Sequence, residues 1–405
     1  MTLIGLESYE RCGCHCSWRR ACRHDRCLPS CSNGQEVILC EAGDHCAQDL
    51  RASTFHSPTL EMLNELGLFD EISERGLRAP IYHFRERATN EILDFDLAEI
   101  SDVTDFPFRI QCEQHVMASL VAEKLEAHPN ATVKFGHRLV HLEQDEHGVT
   151  GNFETAMEIE TFRADYMVAA DGGSSTVRKW LNVEFEGFTY PEKFLCLSTE
   201  TELKESIPDL AKVNYVSDPD EWMVLLRVPS VWRILVPADE KLSNEQLLSD
   251  DYKEDVFKRL IDKPETETEH RTIYKVHQRV AKQFSHDHVF LVGDAAHLNN
   301  PLGGFGMNSG IHDAWNLCDK IQTCLDDGHQ PELFAQYDRQ RRAVTHSFIQ
   351  AQTKQNKAIL EHGEEAGREL RLKSLREMHQ DKDARREYLL RQSMHSSLDE
   401  AMTIV

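Results

Sequence analysis

HVFLVGDAAHLNNPLGGFGMNSG, residues 288–310, decides how this chain is read. Its first half is an apolar strand running into Gly293 and Asp294. In open α/β folds ligands bind at the carboxyl end of such a strand, and an Asp there either accepts from ligand hydroxyls or caps the next turn. The second half places glycines at 303, 304, 306 and 310 behind Pro301, followed by Met307, Ile311, Ala314, Trp315, Cys318 and Ile321. That spacing predicts a helix with an apolar stripe. A glycine-dense turn at its start exposes backbone N–H groups where the helix dipole is positive, which suits an electron-rich ligand better than a plain surface loop does.

Outward from there the pattern recurs. VILCEAGD (37–44) reads as a short buried strand ending at Glu41, and YMVAADGG (166–173) as another ending at Asp171 and Gly172, where Asp171 either binds a ligand or pairs with Arg178. Helical spacing appears at 59–69 and at 113–127, where Val116, Leu120, Val121 and Leu125 share a face, and short strands fill 132–170. Between 185 and 275 the texture changes: WMVLLRV (222–228) and WRILVP (232–237) predict antiparallel strands, with Trp222 and Trp232 either cavity wall or core. The chain from 333 onward is charge-laced and predicts helices closing over the core. The fold class is α/β, and the texture fits a nucleotide-type region, a largely β insertion, a return to the first region and a helical tail, or a plain α/β domain with an unrelated β domain.

Composition narrows the function. The 69 acidic against 45 basic residues give a net charge of -24, and no basic stripe lies outside the first thirty residues, which argues against nucleic acid. The same field repels anionic ligands at long range, so any such ligand needs a local Arg or Lys. Without an 18-residue apolar run or a secretory leader pattern, a soluble cytoplasmic protein with no integral membrane segment is expected. Cys40, Cys46, Cys112, Cys196, Cys318 and Cys324 lie among apolar neighbours and read as buried free thiols of a reducing compartment. A homo-oligomer stays open.

With these residues in view, VILCEAGD…RASTFHSPTLEMLNELG, FPFRIQCEQHVMASLVAEKL, YMVAADGGSSTVRKWLNV and VFLVGDAAHLNNPLGGFGMNSGIHDAWNL resemble the class A flavoprotein monooxygenases. These are the aromatic-ring hydroxylases related to p-hydroxybenzoate and phenol hydroxylases, and the resemblance runs from about residue 35 to about 345. It implies a Rossmann-like FAD-binding region with a parallel sheet at 1–75, 105–180 and 276–330, an interleaved β-rich substrate domain at 76–104 and 181–275, and a helical C-terminal tail at 331–405. It implies FAD as cofactor, NADPH or NADH as reducing co-substrate, and transfer of one oxygen of O2 to a small phenolic or other electron-rich ring. Residue by residue, Glu41 would hold the adenosine ribose, while Arg51 and Gln111 would contact the phosphate and flavin region. Asp171 and Gly172 belong to the motif serving both FAD and NAD(P)H; Gly293 and Asp294 would meet the ribityl and pyrophosphate part; and Pro301, Gly303, Gly304 and Asn308 would edge the isoalloxazine ring. No catalytic side chain and no metal ligand is assigned. The alternatives are a flavin oxidase or dehydrogenase that does not consume NAD(P)H, and an impaired or non-enzymatic homologue.

That last alternative comes from residues 11–34, RCGCHCSWRRACRHDRCLPSCSNG, where the family has a strand, GxGxxG and a helix. Three readings compete. Cys12, Cys14, Cys16, Cys22, Cys27 and Cys31 with His15 and His24 could bind zinc, but cysteines at alternate positions lack the paired spacing of structural zinc sites. A divergent N-terminus is the second. The third is a frame error: read one base later, Cys14 to Cys16 permit Val/Ala, Ile/Thr and Val/Ala, Trp18 before Arg19 gives Gly, and Arg20 and Arg23 permit Gly. The shifted frame thus allows I-V-x-G-A-G-P-V-G at the expected distance from Glu41. As written, the segment lacks the apolar run of a central strand, so the neighbouring strands are expected to be left with unpaired edges.

Overall fold

Two sheets organise the chain, and the computed structural model describes residues 2–4, 36–48, 52–218, 221–239, 241–360 and 365–405. The phosphate-loop readings and Arg51 therefore lie outside the described residues. The first sheet has six strands in the order Ser285–His286, Val289–Leu291, Met167–Ala169, Thr2–Ile4, Val37–Cys40, Ala131–Lys134. Val289–Leu291 runs parallel to Met167–Ala169, and Val37–Cys40 parallel to Ala131–Lys134. Thr2–Ile4 fills the central position antiparallel to both neighbours. Two sequence expectations need correction here. The sheet is mixed rather than parallel, and the edges of Val37–Cys40 and Met167–Ala169 are not left open. Backbone N–H and C=O groups can be matched by a strand of either direction, so even three residues suffice to cover them.

The second sheet has eight strands in the order His297–Leu298, His270–Ala281, Phe185–Thr199, Trp232–Ala238, Met223–Arg227, Val213–Ser217, Ile81–Glu86, Glu91–Asp96. All neighbours are antiparallel except Val213–Ser217 and Ile81–Glu86. Alternation along Phe194, Leu195 and Leu197 explains its two buried faces. Leu195 and Leu197 pack with Val256 and Phe257 of the Asp250–Ile261 helix, whereas Phe194 packs with Leu360, Leu372 and Leu389 of the C-terminal helices. Trp222 and Trp232 belong to these two clusters and are buried, so both are core.

A small sheet of Thr54–Phe55, Arg109–Gln111 and Leu77–Ala79 lies outside the two large ones. The helix expected after the glycine turn spans Phe305–Asp327, and Gly328 ends it with a positive φ of 93°. Its buried face differs from the expected stripe. Asn308, Ser309, His312 and Asp313 are buried, while Met307, Ile311, Ala314 and Trp315 are only half-buried; Cys318 and Ile321 are buried as expected. Polar residues occupy the inner face because partners from other elements satisfy them.

The tail forms helices Pro331–Val344, Ala351–Leu360, Glu365–Gln380, Lys382–Gln392 and His395–Thr403, with a π-helical turn at Thr345–Gln350. Val344, Phe348, Ile349, Met394 and Ala401 bury Phe305, so the tail packs over the start of the long helix. No described helix is long and apolar enough to cross a membrane.

Candidate active site

Three acidic or glycine-bearing loops share one end of the six-stranded sheet. Glu41 follows Val37–Cys40, Asp171 and Gly172 follow Met167–Ala169, and Gly293 and Asp294 follow Val289–Leu291. Thr2–Ile4 is antiparallel to two of these strands, so all three run the same way and present their carboxyl ends together. Glu41 and Leu291 stand three strand spacings apart, roughly 14 Å. That length suits an elongated ligand laid along the sheet edge. The Glu41 carboxylate accepts from the Gly43 N–H (3.0 Å), which orders its own loop.

Asp171 does not form the ion pair with Arg178 that the sequence allowed. Its Oδ2 accepts from the Thr176 and Val177 amides (2.7 and 3.1 Å), and its buried Oδ1 has no hydrogen-bond partner. Arg178 instead donates to the carbonyls of Gly173 (2.7 Å) and Ala295 (2.7 Å), tying the second loop to the third. Asp294 is exposed within the short turn Gly293–Ala295.

Gly293 sits against the long helix. A Cβ added at Gly310 would lie 3.0 Å from the Gly293 Cα, tighter than an ordinary contact, and Gly293 itself has a positive φ of 56°, which favours glycine there. Gly310 is six residues beyond Gly304, about 9 Å along a helix, so the strand-end loop and the glycine turn are close enough to serve one ligand. Behind Gly293 lies a buried charge network that sequence reading missed. The Asp313 carboxylate accepts from the Gly293 N–H (3.1 Å), from His297 Nε2 (2.8 Å) and from Arg341 Nε (2.6 Å). Burial pushes the Asp313 carboxyl up, but Arg341 and His297 outweigh it and hold the group below the usual carboxylate range. His312, on the same helix, is pushed down to about 3 by burial and then by Arg341.

The Pro301–Gly304 turn is closed by the Gly304 N–H donating to the Pro301 carbonyl (3.0 Å). Gly303 has φ 108°, as the third position of such a turn can require, and a Cβ there would strike the Phe305 ring at 2.6 Å. Gly304 has φ 71° and caps the helix, with Thr54 3.1 Å from its would-be Cβ. Asn308 fixes this approach. Its Nδ2 donates to the carbonyls of Thr54 (2.8 Å) and Gly304 (2.7 Å), and its Oδ1 accepts from the His56 N–H (3.0 Å). His56 Nε2 donates to the Gly303 carbonyl (2.8 Å). Asn300 anchors the other side, donating to the Thr353 carbonyl (3.0 Å) and accepting from the Leu302 N–H (3.1 Å). Pro301 itself is exposed.

Gln111 joins this turn through Thr54, whose hydroxyl donates to Gln111 Oε1 (2.9 Å). Gln111 Nε2 is buried with no partner. Arg109, in FPFRIQ (106–111), lies two residues earlier on the same strand face and is a residue that sequence reading missed. A charged residue inside an apolar strand was the available signal.

Comparison with known proteins places this geometry. The FAD binding domain family matches residues 31–352. Para-nitrophenol 4-monooxygenase of Pseudomonas sp. (strain WBC-3) is 27% identical over 363 residues, covering 88% of this chain and 89% of that enzyme. Pentachlorophenol 4-monooxygenase of Sphingobium chlorophenolicum is 27% identical over 78% of this chain, which spans 59% of that longer enzyme. The crystal structure of p-nitrophenol 4-monooxygenase from Pseudomonas putida DLL-E4 superposes with a TM-score of 0.83 at 26% identity, covering 89% of this chain and 93% of that one.

Proposed function

Starting from a chain that belongs to the FAD binding domain family, with aromatic-ring monooxygenases as relatives, we propose that it hydroxylates a phenolic ring using FAD, NAD(P)H and O2. The balance is one ring C–H converted to C–OH, one NAD(P)H oxidised, one proton consumed and one water released per O2. The observation that carries this reading is the shared carboxyl end of three strands beside a glycine turn locked at a helix N-terminus.

The residues present fit the cofactor. Would-be Cβ atoms at Gly303, Gly304 and Gly310 meet neighbouring atoms at 2.6, 3.1 and 3.0 Å, which leaves bare backbone at the places where a flat ring and its chain need to approach. The buried Gln111 Nε2 offers an unmatched donor beside them. We assign Glu41 to the adenosine ribose, Gly293 and Asp294 to the ribityl and pyrophosphate part, Asp171 and Gly172 to the FAD and nucleotide motif, and Pro301, Gly303, Gly304 and Gln111 to the flavin edge. Asn308 acts one layer back, because all its bonds go to the turn and to residues 54–56. FAD supplies the oxygen-activating redox chemistry once reduced by NAD(P)H. The protein aims the positive end of the Phe305–Asp327 helix at the turn, which favours negative charge there. The tail helices over Phe305 shield this end from water. In this division residues 1–75, 105–180 and 276–330 hold FAD, residues 76–104 and 181–275 hold the substrate, and 331–405 closes the site. Rapid-mixing reduction of the protein-bound flavin by NADPH or NADH, with and without a phenol, tests the reaction. Failure of both nucleotides to bleach the flavin under either condition would reject it.

A second reading rests on residues 12–33 as written. Trp18, Arg20 and Arg23 bring bulk where a pyrophosphate needs bare backbone, so this form is expected to bind FAD weakly. Flavin absorbance per mole of purified protein, compared between this chain and a frame-corrected one, decides it. Equal, near-stoichiometric flavin in both would show that the segment is not the phosphate loop.

A further inference from the structure

We propose that Arg109 selects the substrate by charge, so that the site takes an aromatic ring carrying an anionic oxygen, phenolate or carboxylate, in preference to a neutral ring. The inference rests on the monooxygenase reading above and adds to it a substrate class and the residue that sets it.

Arg109 is 1% exposed. Its Nε and Nη1 have no hydrogen-bond partner, and its Nη2 reaches only the Gln392 carbonyl, at 3.5 Å. No carboxylate pairs with it among the described residues. The guanidinium lies over the Tyr82 ring, 4.3 Å from its centre, which offsets part of the lost hydration but offers no acceptor for the two bare donors. The titratable groups facing it are no better. Burial, then Arg109 itself, keeps His56 neutral, and burial holds the hydroxyls of Tyr82 and Tyr388 in their uncharged form. A guanidinium buried without a counter-charge is costly, and an anionic ligand beside it would supply that charge.

Its position is that of a substrate contact. Strand alternation sends Ile110 into the core beside Leu60 and Leu63, and turns Arg109 and Gln111 to the other face. Gln111 leads through Thr54 to Gly304 and the flavin edge. Arg109 leads to Tyr82, on the Ile81–Glu86 strand of the eight-stranded sheet. It thus stands between the glycine turn and the sheet assigned to the substrate. A guanidinium there holds a phenol in its ionised form, and the ionised ring is richer in electrons at the carbons to be hydroxylated.

The test uses the full chain with saturating FAD and three ligands of similar shape: 4-nitrophenol, 4-nitrobenzoate and 4-nitroanisole, which cannot ionise. At a pH below the nitrophenol's own pKa, wild-type protein is expected to bind it with the phenolate absorption band. R109M should weaken that binding roughly thirtyfold and lose the band, with R109K recovering part of both. Tight binding of nitrobenzoate, with nitrophenol bound weakly and without the phenolate band, assigns the anion to a carboxylate. Nitroanisole binding as tightly as either anion, or R109M binding the anion like wild type, overturns the proposal and leaves the monooxygenase reading intact. Failure of all three to bind rejects the aromatic-substrate reading, and this inference with it. Thermal melting of R109M alongside wild type checks that lost binding is not lost folding.

Discussion

The glycine turn and the Arg109–Gln111 strand lie close together and are finished to different degrees. Around the turn, Asn300 and Asn308 spend their side-chain amides on backbone groups of the turn and its neighbours, and Asp313 holds Gly293 from behind. On the strand, Arg109 and Gln111 are just as buried but keep donors with no partner in the protein. Bare nitrogens remain on the turn side too, at Arg341 Nη1 and at Nδ1 of His56, His297 and His312. The difference is the counter-charge: Arg341 has the Asp313 carboxylate, whereas Arg109 has no carboxylate among the described residues. A scaffold must pair its buried charges internally, since a stranded one costs stability; a ligand surface leaves them for the ligand. Substitutions should therefore damage folding on one side and barely touch it on the other.

The largest effect is expected at Asp313. Asp313→Ala leaves Arg341 buried without its counter-charge and frees the Gly293 amide, a loss of about 3–5 kcal/mol of unfolding free energy by denaturant titration. Replacing Asp313 and Arg341 together by Leu and Met should recover most of it, because the charge left stranded by the single change is gone. A single-variant loss under about 1 kcal/mol would show that the network is not part of the scaffold.

Acid should act through His312. Its folded pKa is pushed down to about 3, against about 6.5 for an unfolded histidine. Between those values the unfolded chain holds a proton that the folded chain refuses, so stability falls with pH, by roughly 1.4 kcal/mol per unit. Asp313 adds to this lower down, since its depressed carboxyl loses its contribution as pH drops from about 4 through the folded value. His312→Gln should flatten the slope between pH 6.5 and 4, read from melting temperatures across that range. An unchanged slope would assign acid sensitivity to other groups.

Asn308→Ala comes next, at about 2–4 kcal/mol, because it strands the carbonyls of Thr54 and Gly304 and the His56 N–H. The turn would loosen, so flavin content should fall with stability. Retention of full flavin by a destabilised Asn308→Ala protein would separate the turn from the cofactor.

Part of this division was readable from the sequence. The strand at 289–291 and the helix beginning at 305 followed from an apolar run and a 3.6-residue period, and the dense glycines marked a turn where side chains could not fit. The inner face of that helix was misread, because Asn308, Ser309, His312 and Asp313 become core only once Thr54, Thr59, His297 and Arg341 arrive from elsewhere. Residues 16 and 28 positions from Asp313 carry no local sign of meeting it. Thr2–Ile4 was invisible as a strand, since three residues show no alternation, and its direction is set by the pairing edges available. The isolation of Arg109 was illegible for a different reason: it is a statement about every neighbour at once.

Arg109→Met is the smallest effect and the sharpest trial of the comparison. If Arg109 were scaffold, removing it would cost as much as removing Asp313. Its one hydrogen bond among the described residues is the long contact to the Gln392 carbonyl, and it also stacks on Tyr82, a contact worth about 1–2 kcal/mol at a desolvated site. Against this stands the cost of burying a guanidinium with two unmatched donors, which replacement by an apolar chain of similar length removes. The two nearly cancel, so without an aromatic ligand the variant should unfold within about 1 kcal/mol of wild type, or be slightly more stable. Adding a tightly bound anionic ring must then reverse the order, because it stabilises only the protein that binds it, by an amount that grows with ligand concentration over its dissociation constant. Denaturation with and without 4-nitrophenol reads both halves. A loss near that of Asp313→Ala in the ligand-free protein would mean that Arg109 is part of the frame and that the contrast between the two regions does not hold.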